Sequence, residues 1–550
     1  MSDRPAPSPS PVAAPTRERA DAALHEHLRA HARRQPDKPA YLWYGQPISF
    51  AQLDALSDGF AARLSQLGVR KGDPVALFMN NCPQYVIAHY GIQKLGAIAC
   101  PCGPLNKEHE LHYQLADLGA RVIVAADGLL PVVDQVRART AVEHVFATGY
   151  AELLPARPTI DLPPELAALH GAARRVPDGV EDFLEAARAG GTPAAVSIDP
   201  DEDVALMTYT SGTTGLPKGA MLTYRNALFK TRASVDTLGI GQDDVLLAVA
   251  PLYHIAGMLM GVNIPVLAGA TTVLLHRFDA LATLQAIDRH RVTWWYSVAP
   301  MNVAVMNLPG ASDFDTTSLR RNPVTSFGIA FTEALARQWE GFAPNCRSME
   351  AAYGLSETHT MDTYMPADAI RWGTHGVPIP GNEIRILDPD TGDERPHGEV
   401  GEIVLRNAGV FKGYWNKPEA TAQTLRDGWV HTGDMGRIDE AGYLTFIGRF
   451  KEMIKVSGYS VFPEEVESIL IKHPAVAQAA VIGVPDPEKG EVVKAFVVRK
   501  AGSADRADDI VAWARQNMAP YKAPRDVVFI DALPATGAGK VLRRLLKDPA

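Results

Sequence analysis

At 550 residues the chain is too long for one hydrophobic core and calls for two to four domains. Apolar residues at 46% and charged residues at 21% are an ordinary globular composition. A net charge of −9 provides no global positive field for nucleic acid or an anionic membrane, so any polyanion must be held by local groups.

Residues 1–24 begin with a Pro- and Ser-rich stretch that has no apolar signal-peptide core, and are expected to be a disordered tail. From 50 to 124 helical and strand patterns alternate: a helix over 51–67, a strand over 74–79, a helix over 85–95 and a strand over 121–125. Residues 127–200 show weak periodicity and read as a variable connection with one short helix over 180–189. The α/β rhythm then resumes, with strands over 205–209, 245–249 and 293–298 and helices over 224–238, 280–290 and 333–342.

From 245 to 275 there is no Asp, Glu, Lys or Arg, a length that would suffice for a membrane span. Pro251, His254, Asn263 and Pro265 interrupt it, so it reads as strand, loop, buried helix and strand. No transmembrane segment is expected, and at most peripheral membrane contact. After Gly381 glycines punctuate short strands such as 383–387 and 402–406, an antiparallel β-rich subdomain over about 381–449.

From 450 a small α+β unit follows, with helices over 463–473 and 508–518 and strands over 477–484 and 492–499. Residues 450–550 hold 15 Lys+Arg and 13 Asp+Glu, a net of +2, which leaves −11 on the rest of the chain. That distribution suits a lid closing over polyanions. The expected fold is α/β: a large N-terminal domain over 25–449 and a small mobile C-terminal domain over 450–550.

Cys82, Cys100, Cys102 and Cys346 are too few for a disulfide scaffold and fit a reducing, cytoplasmic setting. Cys100-Pro101-Cys102 has no second ligand pair and reads as small buried residues near a strand end.

The most specific segment is Thr210-Ser211-Gly212-Thr213-Thr214-Gly215-Leu216-Pro217-Lys218-Gly219, directly after a strand. Glycines bring backbone N–H groups close to an anion, hydroxyls add donors and Lys218 adds a charge. It is not a P-loop, which needs Ser or Thr after the lysine, where this chain has Gly219. Five more segments accompany it in order: Pro251-Leu252-Tyr253-His254, Tyr353-Gly354-Leu355-Ser356-Glu357-Thr358, His431-Thr432-Gly433-Asp434, Gly448-Arg449-Phe450-Lys451-Glu452 and Thr536-Gly537-Ala538-Gly539-Lys540.

Together these resemble the adenylate-forming superfamily, in its acyl-CoA synthetase (fatty-acid and aryl-CoA ligase) branch, over about residues 25–547. The resemblance implies an acid–thiol ligase that uses ATP, Mg²⁺ and coenzyme A on a carboxylic acid, binds no nucleic acid and leaves a homodimer open. It assigns Thr210, Ser211, Gly212, Thr213, Thr214, Gly215 and Lys218 to the β- and γ-phosphates, and Glu357 and Thr210 to Mg²⁺. Thr358 would meet the α-phosphate and Tyr353 would stack on adenine, with Gly328 and Gly354 alongside. Asp434 and Arg449 would hold the ribose. Lys540 would bridge carboxylate and α-phosphate, and Lys451 would be the hinge of the small domain. His254, Lys455 and Gly458 would line the pantetheine tunnel.

The expected acyl pocket is Tyr253, Met258, Trp294, Trp295 and Ala330. No acidic residue occurs over 245–278 to hold an amino group, so an apolar tail is expected: a medium- to long-chain fatty acid, with an aryl carboxylate as alternative. A catalytically silent nucleotide-binding relative is the reading from another class. The family's usual Gly-Gly-Ala-Pro-Leu is replaced by Phe327-Gly328-Ile329-Ala330-Phe331, whose bulk bears on the shape of that pocket.

Overall fold

The computed structural model describes residues 22–210, 216–326, 329–457, 459–535 and 541–547. The expected tail over 1–24 lies almost wholly outside them; the helix Leu24–Arg34 opens the described chain.

Two eight-stranded sheets form the large domain. One runs in the order Gly413–Tyr414, Gly219–Thr223, Val204–Tyr209, Ile98–Cys102, Pro74–Phe78, Val122–Ala126, His144–Thr148, Glu181–Asp182. It is parallel from Val204–Tyr209 onward, whereas Gly219–Thr223 and Gly413–Tyr414 add antiparallel at the other edge. The second sheet places Val245–Ala248 and Thr271–Leu274 at its centre, with Trp294–Trp295, Arg321–Thr325 and Arg347–Glu350 on one side and the hairpin Pro39–Trp43, Gln46–Ser49 on the other.

The helix Pro83–Lys94 is buried at every residue. Its apolar residues therefore need no stripe, and its polar residues must find partners. Gln84 donates to Gly149 O at 2.9 Å, Gln93 meets His89 at 3.1 Å, and Lys94 reaches Asp54 and Asp58 on the helix Phe50–Gln66. Tyr85 and Tyr90 donate to Leu252 O and Val262 O, tying this helix to the stretch over 245–275. That stretch is strand, loop, buried helix and strand: Val245–Ala248, a continuous helical run from Ile255 to Ala268 with a π-helical turn at Leu259–Asn263, and Thr271–Leu274. Among the described residues no helix is long and apolar enough to cross a membrane.

Residues 127–200 are better ordered than their composition suggests. The strand His144–Thr148 pairs in parallel with Val122–Ala126, and Arg174 gathers Asp127, Glu152 and Asp182 around one guanidinium. The expected strand over 293–298 is broken at Tyr296 into Trp294–Trp295 and Ser297–Val298. All four cysteines are free and buried, Cys100 and Cys102 within the strand Ile98–Cys102.

Past Gly381 the strands Glu383–Leu387, Gly401–Arg406, Trp429–Ile438 and Leu444–Arg449 form an antiparallel sheet. The small C-terminal unit has a five-stranded sheet with the helices Pro463–Leu470 and Ala507–Asn517 over its own core of Ile454, Val466, Leu470, Val481, Val497 and Ile510. A separate core is what an independently moving domain needs.

Candidate active site

The glycine- and hydroxyl-rich loop leaves the strand Val204–Tyr209 and returns on Gly219–Thr223. Its neck is closed by Thr210 N donating to Lys218 O at 3.0 Å. The helix Glu108–Leu118 clamps that neck from the side: Tyr113 OH donates to Pro217 O at 2.8 Å and Tyr209 OH to Asp117 at 2.7 Å. Ser211, Gly212, Thr213, Thr214 and Gly215 lie outside the described residues.

Lys218 Nζ sits 4.2 Å from the centre of the Tyr414 ring, and Tyr414 OH donates to Glu357 Oε1 at 2.6 Å. Tyr414 reaches this point because it stands opposite Ala220 on the neighbouring strand. Burial lowers the Lys218 ammonium, Glu357 opposes that shift, and the charge of Lys451 adds to it. Lys218 and Glu357 thus meet at Tyr414, and Lys451 is near enough for its charge to act on Lys218. Tyr414 carries no motif signal.

Glu357 is partly exposed and its backbone carbonyl accepts from Phe411 N at 2.7 Å. Among the described residues no group of three His, Cys, Asp or Glu could hold a metal ion. A partly exposed carboxylate beside a phosphate loop nevertheless fits Mg²⁺, which is commonly held by one or two carboxylates plus substrate phosphates and water.

Thr358 is placed differently from expectation. Its side chain is fully buried, and its hydroxyl donates to Asp362 and Leu355 O. A hydroxyl so committed does not face a phosphate; Ser356 is the partly exposed hydroxyl of the same turn. Gly354 is required where it stands, since a Cβ there would overlap Met361 N and Thr360 C.

Tyr353 OH donates to Asp434 Oδ2 at 2.8 Å, and the Tyr353 ring stacks on Phe446 with centroids 6.0 Å apart. Asp434 and Arg449 face each other across two antiparallel strands, with Arg449 Nε 3.3 Å from Asp434 Oδ1. Glu402 shapes the turn before Asp434: one oxygen accepts from Gly433 N at 3.0 Å and the other lies 3.0 Å from His431 Nδ1. Glu402 stands in a strand pattern like many others, so sequence reasoning missed it.

The pocket candidates divide. Tyr253 is partly exposed and Ala330 is exposed, whereas Met258 is fully buried. Trp294 and Trp295 alternate across their strand and join different cores: Trp294 packs with Leu259 and Met361, while Trp295 is fully buried against Trp339. The two rings cannot line one pocket, and the Trp295 ring belongs to the helix-packing layer. Phe331 turns away into a small core with Trp372, Val324 and Ala336, so its bulk is absorbed there; Phe327 and Gly328 lie outside the described residues.

Buried Glu350 steadies the segment before Phe327. It accepts from Ser326 N at 3.1 Å and Ser326 Oγ at 2.5 Å, and Ser326 Oγ in turn accepts from Phe331 N at 2.8 Å. Burial pushes the Glu350 carboxyl up to about 7 from 4.5. As pH rises the unfolded chain loses this proton first, so the stabilising contribution is whole below 4.5 and lost as pH passes about 7. Glu350→Gln, which cannot ionise, should therefore gain about 2–3 kcal/mol relative to the parent between about pH 5 and about pH 8. Urea unfolding of both proteins measures it, and an equal stability gap at both pH values would contradict the assignment.

In the small unit Lys451 is exposed in the turn Phe450–Glu452. Lys455 is exposed and donates to Ser460 at 2.9 Å. His254 Nδ1 accepts from Ala256 N at 3.4 Å at the start of the helix Ile255–Met258, so its ring orientation is set by the helix end. Gly458 and Lys540 lie outside the described residues. On either side of the undescribed residues 536–540 Ala535 pairs with Val541, and Arg543 binds Glu452, Glu464 and Glu467.

A family model described as AMP-binding enzyme matches residues 28–415, and one described as AMP-binding enzyme C-terminal domain matches residues 465–540. A long-chain-fatty-acid–CoA ligase of Bacillus subtilis (strain 168) is 36% identical over 538 residues, covering 96% of this chain and 94% of that protein. Among solved structures, ATP-bound MatB from Rhodopseudomonas palustris is 29% identical with a TM-score of 0.81, over 96% of this chain and 98% of the other. The anthranilate CoA ligase AuaEII in complex with anthranoyl-AMP is 29% identical with a TM-score of 0.83, over 96% and 97%. The chain belongs to the AMP-binding enzyme family, in the acyl-CoA ligase branch of the adenylate-forming superfamily, and is an acid–thiol ligase.

Proposed function

We propose that the chain joins a medium- to long-chain fatty acid to coenzyme A in two steps, in the cytoplasm. The observation that carries this reading is the convergence of Lys218, Tyr414 and Glu357 at the neck of the phosphate loop. In the first step a carboxylate oxygen attacks the α-phosphorus of ATP and pyrophosphate leaves, giving an acyl-adenylate. Both reactants are anions, so the site must supply positive charge and N–H donors where charge builds up. Lys218 and the loop backbone serve the β- and γ-phosphates, and Ser356, the partly exposed hydroxyl of the Glu357 turn, would take the place of Thr358 at the α-phosphate. Glu357, with Thr210, would hold Mg²⁺, which neutralises phosphate charge when bound. Asp434 and Arg449 hold the ribose. Lys540 supplies the ammonium between carboxylate and α-phosphate.

In the second step the small domain turns about Lys451, and the thiol of coenzyme A attacks the acyl carbonyl while AMP leaves. The apolar helical run from Ile255 to Ala268 and the absence of an acidic residue over 245–278 support an apolar acyl tail. The name of the Bacillus subtilis relative supports the same class.

Thioester formation across straight-chain acids of rising length, with aryl acids included, tests the reading. The longer straight chains should have the highest kcat/KM; a preference for aryl acids would overturn the choice of substrate. Trp294→Ala should shift that series toward bulkier acids if its ring faces the acyl tail, and should also cost stability because the ring is buried beside Leu259 and Met361. Trp295→Ala should leave relative kcat/KM values unchanged while costing about 3–5 kcal/mol of stability, the usual result of emptying a packed core site. A specificity shift in Trp295→Ala would contradict the separation of the two rings.

A further inference from the structure

We propose that the buried ion pair between Lys230 and Asp362 is a positioning device for adenylation, holding the turn that presents Glu357 without touching substrate. The inference rests on the reading of Glu357 as the metal carboxylate.

Lys230 lies on the helix Tyr224–Leu238, which starts where the strand returning from the phosphate loop ends. Asp362 follows the turn that carries Glu357. Both side chains are fully buried, and the Lys230 ammonium bonds Asp362 Oδ1 and Met361 O, the latter at 3.3 Å. Asn407 also donates to Asp362 Oδ1, at 3.2 Å, and Thr358 OH donates to Oδ2. The Asp362 backbone is bonded on both sides: its N–H donates to Tyr353 O at 2.7 Å and its carbonyl accepts from Asn382 at 2.7 Å. Asp362 is thus the hub where the helix, the turn and the start of the β-rich subdomain meet.

The turn itself needs a hub. His359, Thr360 and Met361 have φ of 60°, 58° and 48°, three successive non-glycine residues in the left-handed region. Each is sterically disfavoured, and such a run persists only where its surroundings over-determine it. The turn folds back so closely that position 354 accepts no Cβ. Glu357 stands between the two bonded anchors Leu355 and Thr358, and Phe411 and Tyr414 hold it from the opposite side. An apolar pair of similar volume would stabilise the fold at least as well as two buried charges. What an apolar pair cannot do is accept the Thr358 hydroxyl and the Asn407 amide in one fixed direction.

The test is the double variant Lys230→Met/Asp362→Leu, with Thr358→Val as a second variant that cuts the turn from the hub but keeps the ion pair. Thr358→Val should unfold at a urea midpoint near the parent's, and the double variant at a somewhat lower one, because it leaves the Thr358 hydroxyl and the Asn407 amide without Asp362. In both, the Mg²⁺ concentration for half-maximal pyrophosphate release should rise about 10–100-fold, the usual cost of losing a partner behind a metal ligand. Thioester formation from supplied acyl-adenylate should stay at the parent rate. In the nucleotide-free double variant, amide hydrogen exchange over 355–362 should speed up, reporting the loosened turn without any reaction. Parent-like Mg²⁺ dependence in both variants, or equal loss in both half-reactions, would overturn the proposal and leave the pair a structural element. Glu357→Gln run in parallel separates the two levels: if it alone keeps parent pyrophosphate release, the Glu357 reading fails; if it is impaired while the other variants are not, only the hub fails.

Discussion

Glu357→Gln should leave the protein folded and remove most carboxylate-dependent pyrophosphate release, by about 100-fold or more. A hundredfold loss corresponds to about 2.7 kcal/mol of transition-state stabilisation, the scale on which a single preorganised charge contact acts. The fold should survive because the side chain is partly exposed and its hydrogen bond from Tyr414 OH can be made to an amide oxygen. The backbone contact from Phe411 N does not depend on the side chain. What changes is the charge. A neutral amide is a weaker oxygen ligand for a hard cation. Raised Mg²⁺ should therefore recover part of the rate, which a mere loss of packing would not allow. Parent-rate pyrophosphate release in the variant at ordinary Mg²⁺ would show that the carboxylate does not serve the metal.

The second large effect is a division between the half-reactions. Lys540→Ala should abolish adenylate formation, a loss of about 100-fold or more, yet still turn over supplied acyl-adenylate with coenzyme A. On the proposed assignment its ammonium is needed only while two anions are brought together. Lys451→Pro should do the reverse. Lys451 occupies the second position of a tight turn in which Met453 N bonds to Phe450 O at 3.3 Å, a position that accepts proline. The ring then holds φ near about −65° and opposes rotation to a second arrangement. Pyrophosphate release should persist while thioester formation collapses. Single-turnover assays with acid plus ATP, and separately with acyl-adenylate plus coenzyme A, measure both. Equal damage to both steps in both variants would point to one fixed domain arrangement.

The amino-acid sequence by itself determined what depends on near neighbours in the chain. The helix Tyr224–Leu238 begins and ends where its pattern predicts because Thr223 and Asn226 cap it reciprocally and Gly239 closes it. The buried helical run after His254, the phosphate loop and the adenylate-forming motifs are legible for the same reason: each is written in contiguous residues. Tertiary structure alone decided how those motifs are supported. Tyr414 reaches Glu357 across 57 residues and Asp117 reaches Tyr209 across 92, through sheet order and register that no local pattern encodes. Thr358 stands inside a motif yet spends its hydroxyl on Asp362, and Trp294 and Trp295 are chain neighbours that pack into different cores. Residues 127–200 look unstructured by composition but are ordered by Arg174 and a strand paired at a sheet's far side. A hydroxyl, ring or carboxylate carries the same letter whether it faces substrate or core. Which it faces is settled by the packing of segments far apart in the chain, where burial demands that each polar group find a partner.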